Sequence, residues 1–216
     1  MSPFGYPVFL ELSGQRCVVI GEDAVREGKV EGLLAGGADD VLVVALGPDA
    51  KLASLEDIDG VEVQRRRWHP GDLDDSFLIV ASSRDPVESA AIAREARMRR
   101  VLVNVMDDVP NCDWAAPAVV CRGELVVAVG TGGASPALAR RVREDLERRY
   151  GPEWAEVVAV LRRVRQETLP SLPSFSERAR RWREALDPDE AARLVREGNS
   201  EELETRLRSR LLEMPA

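Results

Sequence analysis

The sequence predicts an α/β chain: a parallel sheet covered by helices, then a small strand-helix element and a helical C-terminal part. Three observations point there. Short continuous apolar runs recur at Arg16-Cys-Val-Val-Ile20, Val41-Leu-Val-Val-Ala45, Phe77-Leu-Ile-Val-Ala81 and Val101-Leu-Val-Asn-Val105. They alternate with stretches of helical spacing, and after residue 112 the alternation stops. Strands that read as unbroken apolar runs are buried on both faces, which a parallel sheet between two helix layers provides. The first part is therefore expected to be Rossmann-like over residues 1–112, followed by an element at 113–150 and a helical domain at 151–216.

The elements follow in order. Arg16–Ile20 is a strand that runs into a turn at Gly21. Val25, Val30, Leu33 and Leu34 place a helix over residues 24–34, stopped by Gly36-Gly37. Val41–Ala45 is the second strand, Val61–Arg65 a short third, Phe77–Ala81 the fourth and Val101–Val105 the fifth, with a helix from Pro86 to about Arg99. Ala118–Cys121, a turn at Arg122-Gly-Glu124 and Leu125–Val129 read as an antiparallel hairpin, and Ser135–Tyr150 as a helix. From Pro152 onward the pattern is helical. Trp154, Val157, Val158, Leu161 and Val164 form one stripe, Pro170 and Pro173 interrupt, and a second stripe covers residues 175–186. Such stripes mark helix packing. Residues 188–216, amphipathic but strongly charged, read as a loosely packed pair of terminal helices.

Composition excludes several classes. A chain of 216 residues holds one ordinary domain and an appendage. A formal charge of −8 and an isoelectric point near 5.0 argue against a nucleic-acid binder, which needs a basic face. The arginine clusters at 65–67, 140–143 and 162–165 read as solvated surface. Three cysteines at 17, 112 and 121 are too few and too irregular for a disulfide framework or a zinc site. His69 is the only histidine and has no companions at ligand spacing, so no metal site is expected. No run approaches the ~18 apolar residues of a membrane span, and no targeting signal opens the chain. The expected location is the cytoplasm.

Chemistry concentrates between residues 104 and 140. Asp107 and Asp108 stand just past the fifth strand, and the C-terminal ends of parallel strands are where such sheets present their sites. A glycine turn, Thr131-Gly-Gly133, then enters a helix with Ser135 as cap and Pro136 at its first position, a place suited to an anion. A base beside a site for a carboxylated or phosphorylated ligand is one interpretation. The plainer alternatives are that the aspartates cap a turn leading to Pro110 and that Thr-Gly-Gly only reverses the chain.

The wording of these blocks, Asn104-Val-Met-Asp107, Pro117-Ala-Val-Val and Thr131-Gly-Gly-Ala-Ser-Pro-Ala-Leu-Ala-Arg140, resembles the precorrin-2 dehydrogenase / sirohydrochlorin ferrochelatase family, the N-terminal module of siroheme synthases. Tyr6–Arg16 and Leu78–Pro86 share the likeness, which covers roughly residues 5–186. The resemblance implies a homodimer formed through the strand-helix element, with NAD as cofactor and precorrin-2 as substrate. It assigns Asp107 as the catalytic base, and Asn104, Thr131, Gly132, Gly133, Ser135 and Arg140 as substrate-binding residues. It places Gly21, Ala24, Val25, Leu46, Gly47 and Ser83 around the cofactor, with ferrous iron as a possible second substrate.

One block departs from the family. After the first strand a dinucleotide site wants Gly-x-Gly-x-x-(Gly/Ala), so that the backbone can approach the pyrophosphate and the helix can pack closely. This chain reads Gly21-Glu-Asp-Ala-Val-Arg26, with Asp23 at the second glycine and Arg26 at the small third residue. Like charges ~4 Å apart at an effective dielectric near 20 repel by several kcal/mol, and every ~1.4 kcal/mol is tenfold in affinity. Arg26 either turns to the phosphates or pairs with Glu22.

The function expected is therefore NAD-dependent oxidation of precorrin-2 to sirohydrochlorin, with iron insertion as a second activity. The alternatives are a chelatase that lacks the oxidation step, because of Asp23 and Arg26, and a non-catalytic tetrapyrrole- or nucleotide-binding regulator. No methyltransferase-like stretch occurs in these residues, so precorrin-2 is expected to come from another protein.

Overall fold

β-branched side chains fill the apolar runs, and they suit a pleated surface packed on both faces. In the computed structural model, which describes residues 4–46, 50–172 and 174–213, the runs become β1 (Arg16–Ile20), β2 (Asp40–Val44), β3 (Val61–Gln64), β4 (Leu78–Ala81) and β5 (Leu102–Val105). They form one parallel sheet in the order β3-β2-β1-β4-β5. The order reverses between β1 and β4, which makes that crevice the topological switch point. Registers are level: Val44 lies beside Ile20, Ile20 beside Ala81 and Ala81 beside Val105. Four strands thus end on one line, and the loops that leave them share one edge.

Alternate strand residues face opposite layers. Cys17, Val19, Val41, Val43 and Val80 pack with Ala24, Val25, Val30, Leu33 and Leu52 on one face. Val18, Ile20, Leu42 and Ile79 pack with Leu73, Ile92 and Ala96 on the other. Cys17 is fully buried there, and burial, with Asp40 and Asp39 nearby, pushes its thiol up to about 11. It is a packing residue.

The single helix expected over 24–34 is in fact two, α1 (Glu22–Arg26) and α2 (Lys29–Ala35). Gly28 divides them in the left-handed conformation, φ 75° and ψ 29°, which a helix interior excludes. A short helix α3 (Ala50–Leu55), absent from the sequence reading, buries Leu52 and Leu55. Helix α4 (Pro86–Met98) starts as its sequence suggests, with Pro86 in the first turn and Asp85 accepting the Val87 N–H at 2.9 Å.

A 3-10 turn at Pro70–Leu73 carries Asp72, a buried carboxylate. It accepts from both ends of the Arg66 guanidinium, at 2.6 and 2.8 Å, and from the His69 N–H at 2.8 Å. Burial pushes its pKa up, but Arg66 and the His69 amide outweigh burial and leave it below the usual carboxylate value. A depressed carboxylate stabilises the fold above its unfolded pKa of ~3.9, and that contribution fades as pH falls through the folded value. Asp72→Asn is expected to cost about 2–3 kcal/mol at neutral pH, Arg66 being partly hydrated when its partner is lost. Urea melts should show the gap to wild type closing below about pH 4. His69 itself is exposed at the rim of this turn, and no group of three metal-ligating side chains occurs among the described residues.

The chain divides at Ala116 into two compact units. The second contains a hairpin, β6 (Ala118–Arg122) and β7 (Leu125–Val129), and helices α5 (Pro136–Arg149), α6 (Glu153–Thr168), α7 (Phe175–Ala185), α8 (Pro188–Arg196) and α9 (Ser200–Glu213). The terminal pair is not loosely packed, contrary to the expectation from its charge. Leu203, Leu207 and Leu211, spaced one turn apart, bury against Val157, Val160 and Val164, and Ala191 and Leu194 join them. The abundant charges pair along the rim, as where Glu190 meets Arg206 and Arg210. No helix among the described residues is long and apolar enough to cross a membrane.

Candidate functional site

At the switch point the chain leaves β1 through Gly21, whose N–H donates to the Val44 carbonyl at 2.9 Å. Its φ of 95° and ψ of 151° are open only to glycine. There is also no room for a side chain: a Cβ would lie 2.2 Å from the Ser82 carbonyl oxygen. Ser82 follows β4 and fastens this turn. Its N–H donates to Ile20 O at 2.8 Å, and its hydroxyl accepts the Ala24 N–H at 2.9 Å.

Ser82 was not among the expected residues. Its neighbour Ser83 was, and Ser83 instead donates to Glu88 at 2.5 Å and accepts the Asp85 N–H at 3.1 Å. Only the register of β1 against β4 tells the two serines apart. Ala24 and Val25 are buried in the core, so only their backbone stays near the edge, where the Val25 N–H returns to Gly21 O at 3.4 Å. Leu46 stands exposed at the end of β2, and Gly47 lies outside the described residues.

The departure at Asp23 has a structural counterpart. Asp23 pairs with Arg26 at 3.4 Å on its own helix and with Arg84, from the loop after β4, also at 3.4 Å. Arg26 also meets Glu22 at 3.4 Å, as one of the two sequence alternatives had it. The turn therefore holds two carboxylates and two guanidinium groups. A dinucleotide fits here: the first glycine meets its steric requirement, the sheet edge is the switch point, and the acid at Asp23 is already neutralised by two arginines able to receive phosphate.

Two strands along the same edge, roughly 10 Å at the usual spacing of about 4.8 Å, β5 ends and Met106 donates its N–H to Ala81 O at 2.8 Å. Asp107 follows with φ 59°, a left-handed conformation uncommon outside glycine but tolerated best by Asp and Asn. Its carboxylate is exposed and forms no hydrogen bond or ion pair with another described residue. The turn around it is stiff. Asp108 accepts from Asn111 Nδ2 at 2.8 Å, Asn104 donates to Trp114 O at 2.8 Å, and the Cys112 thiol donates to Val105 O at 3.0 Å. Burial pushes that thiol's pKa up. Of the adjacent aspartates, Asp108 builds the turn and Asp107 is displayed by it.

In the second unit, Gly132 and Gly133 reverse the chain at φ 61° and 81°. Ser135 caps α5 by accepting the Leu138 N–H at 3.1 Å, and the Thr131 hydroxyl accepts the Ser135 N–H at 3.2 Å. Both hydroxyls thus serve the turn; they take the Ser135 and Leu138 amides, and Pro136 has none, so of the first helical residues only Ala137 offers an amide to an anion, beside Gly132 and Gly133. Arg140 is exposed and paired with Glu144 at 3.3 Å.

Comparison with known proteins adds to this geometry. The profile of a family described as putative NAD(P)-binding matches residues 8–118, and that of the sirohaem biosynthesis protein central region matches residues 122–149. Siroheme synthase 1 of Pectobacterium atrosepticum is 34% identical over 206 residues, 95% of this chain and 42% of the relative. Siroheme synthase 1 of Serratia proteamaculans is 32% identical over 201 residues, 93% of this chain and 42% of the relative. The chain spans about two-fifths of the length of these curated relatives. Among solved structures, SirC, a precorrin-2 dehydrogenase, aligns with a TM-score of 0.68 at 27% identity, covering 94% of this chain and 98% of that one.

Proposed function

We propose that this chain, which belongs to the putative NAD(P)-binding family and is similar to siroheme synthases, oxidises precorrin-2 to sirohydrochlorin in the cytoplasm. The observation that carries the proposal is the level sheet edge, with the Gly21 turn at one point and the unpaired Asp107 two strands away. The oxidation removes one hydride and one proton. A bound NAD would supply the hydride acceptor. Asp107 takes the proton: among the described residues its carboxylate has no partner to give up before it can act as a base. Gly21 would leave room for a pyrophosphate at the turn, Ser82 holds the turn to β4, and Arg84 would offer charge to phosphate. In the second unit the amides of Gly132, Gly133 and Ala137, with the Arg140 guanidinium, are suited to receive carboxylates, which an octacarboxylate substrate carries.

The working unit is proposed to be a homodimer joined through the hairpin. Val119, Cys121, Val126 and Ala128 share one exposed face of β6 and β7, an apolar surface that a second copy would cover. Iron insertion into sirohydrochlorin is a second reading. The unpaired Asp107 favours it too, because removing pyrrole protons needs a base and no NAD. The test is incubation of the purified chain with precorrin-2 and NAD⁺, read as NADH absorbance. One NADH per sirohydrochlorin is expected. Bound NAD⁺ without turnover would reject the dehydrogenase and leave the chelatase.

A further inference from the structure

Asp23 occupies the place where a dinucleotide-binding turn carries glycine, and two guanidinium groups converge on it. Arg26 reaches it from one turn along α1, and Arg84 from the loop after β4. All three side chains are substantially exposed, so nothing packs them in place. An ion pair of this kind is weak and easily exchanged. A phosphate offers the same guanidinium more acceptor oxygens and more charge than a carboxylate.

We propose that Asp23 is an internal counter-anion of the cofactor site, a latch that the pyrophosphate of NAD must displace from Arg84 before it can bind. The latch rests on the cofactor assignment made above. In the closed arrangement Asp23 satisfies Arg84 and shields Glu22 and Asp23 from each other's charge through Arg26. On binding, the Asp23 carboxylate turns out to solvent and Arg84 passes to phosphate. Binding thus exchanges one anion for another, so the dinucleotide is held more weakly than by a glycine turn, and Arg84 becomes a residue that sets cofactor affinity. Ser82 keeps the backbone of the turn still during the exchange, since its bonds to Ile20 and Ala24 involve neither side chain.

The test is calorimetric titration of NAD⁺, and of inorganic pyrophosphate as a fragment probe, into wild type, D23N, R84Q and D23N/R84Q, with D23S as a second replacement of the acid. D23N and D23S are expected to bind NAD⁺ about tenfold or more tightly than wild type, and pyrophosphate should follow the same order. R84Q introduced into D23N is expected to remove about tenfold of that affinity, because Arg84 then has only phosphate to serve. If wild type binds NAD⁺ and neither Asp23 variant binds more tightly, the latch is overturned while the cofactor assignment stands. If D23N/R84Q binds as tightly as D23N, Arg84 does not pass to phosphate and the latch is likewise overturned. If no variant binds NAD⁺, both fall.

Discussion

Replacing Asp107 by alanine is expected to lower precorrin-2 turnover by about 10²–10⁴-fold, the contribution of a positioned base, while NAD⁺ affinity stays at the wild-type value and stability falls by no more than about 1 kcal/mol, the cost of alanine at a left-handed φ. The separation follows from how the residue is held. Its carboxylate touches no other described polar group, so no side-chain bond is lost with it. Its backbone, at φ 59°, is held there by the Asp108, Asn104 and Cys112 contacts and not by its own side chain. Asp107→Gly sharpens the contrast. Glycine accepts that conformation without strain, so stability should rise or stay within about 1 kcal/mol while turnover is lost. Asp108→Ala should behave in the opposite way. It breaks the bond to Asn111 and costs about 1 kcal/mol, with turnover largely retained. Full turnover in Asp107→Ala would remove the residue from the mechanism, and a loss of stability well above about 1 kcal/mol would make it a turn residue.

The sheet was legible because its signal is redundant. Cys17–Ile20, Val41–Ala45 and Leu78–Ala81 are unbroken apolar runs, and no other arrangement buries both faces of so many. The hairpin and the Ser135-Pro136 helix start were equally plain, since turn chemistry and capping are local. What escaped was set by contacts distant in sequence. Ser82 differs from Ser83 only in which one the register of β4 brings to Gly21, a fact that no spacing near residue 82 reveals. Arg84 meets Asp23 across 61 residues for the same reason. The helical spacing over residues 24–34 runs through Gly28, which divides it into two helices in the left-handed conformation. The three leucines of α9 were hidden among charges because a one-residue-wide stripe per turn carries little average hydropathy, yet it suffices against the valines of α6 and the apolar side chains of α8.

Gly21→Ala should bring the largest loss of stability, about 3–5 kcal/mol, and with it all NAD⁺ binding. Two costs combine. A non-glycine residue at φ 95° and ψ 151° carries about 1–3 kcal/mol of strain. Overpacking adds a similar amount, because the new Cβ would stand 2.2 Å from the Ser82 carbonyl oxygen. Neither wall can retreat. Gly21 is tied to β2 through Val44 O at 2.9 Å, and Ser82 is tied to β1 through Ile20 O at 2.8 Å, so relief would have to part central strands of the sheet. Set against a typical domain stability of about 5–15 kcal/mol, such a loss is visible as a large drop in the urea midpoint. Gly133→Ala is the control for backbone strain alone. That glycine also has a positive φ, 81°, but a Cβ there would meet nothing within 4 Å, so it should cost only about 1 kcal/mol. Adding Ser82→Gly to Gly21→Ala separates the two obstacles at the switch point. It removes the hydroxyl and leaves the carbonyl, so it should restore nothing. Recovery in the double variant would show that the hydroxyl, and not the strand backbone, is what requires glycine at residue 21.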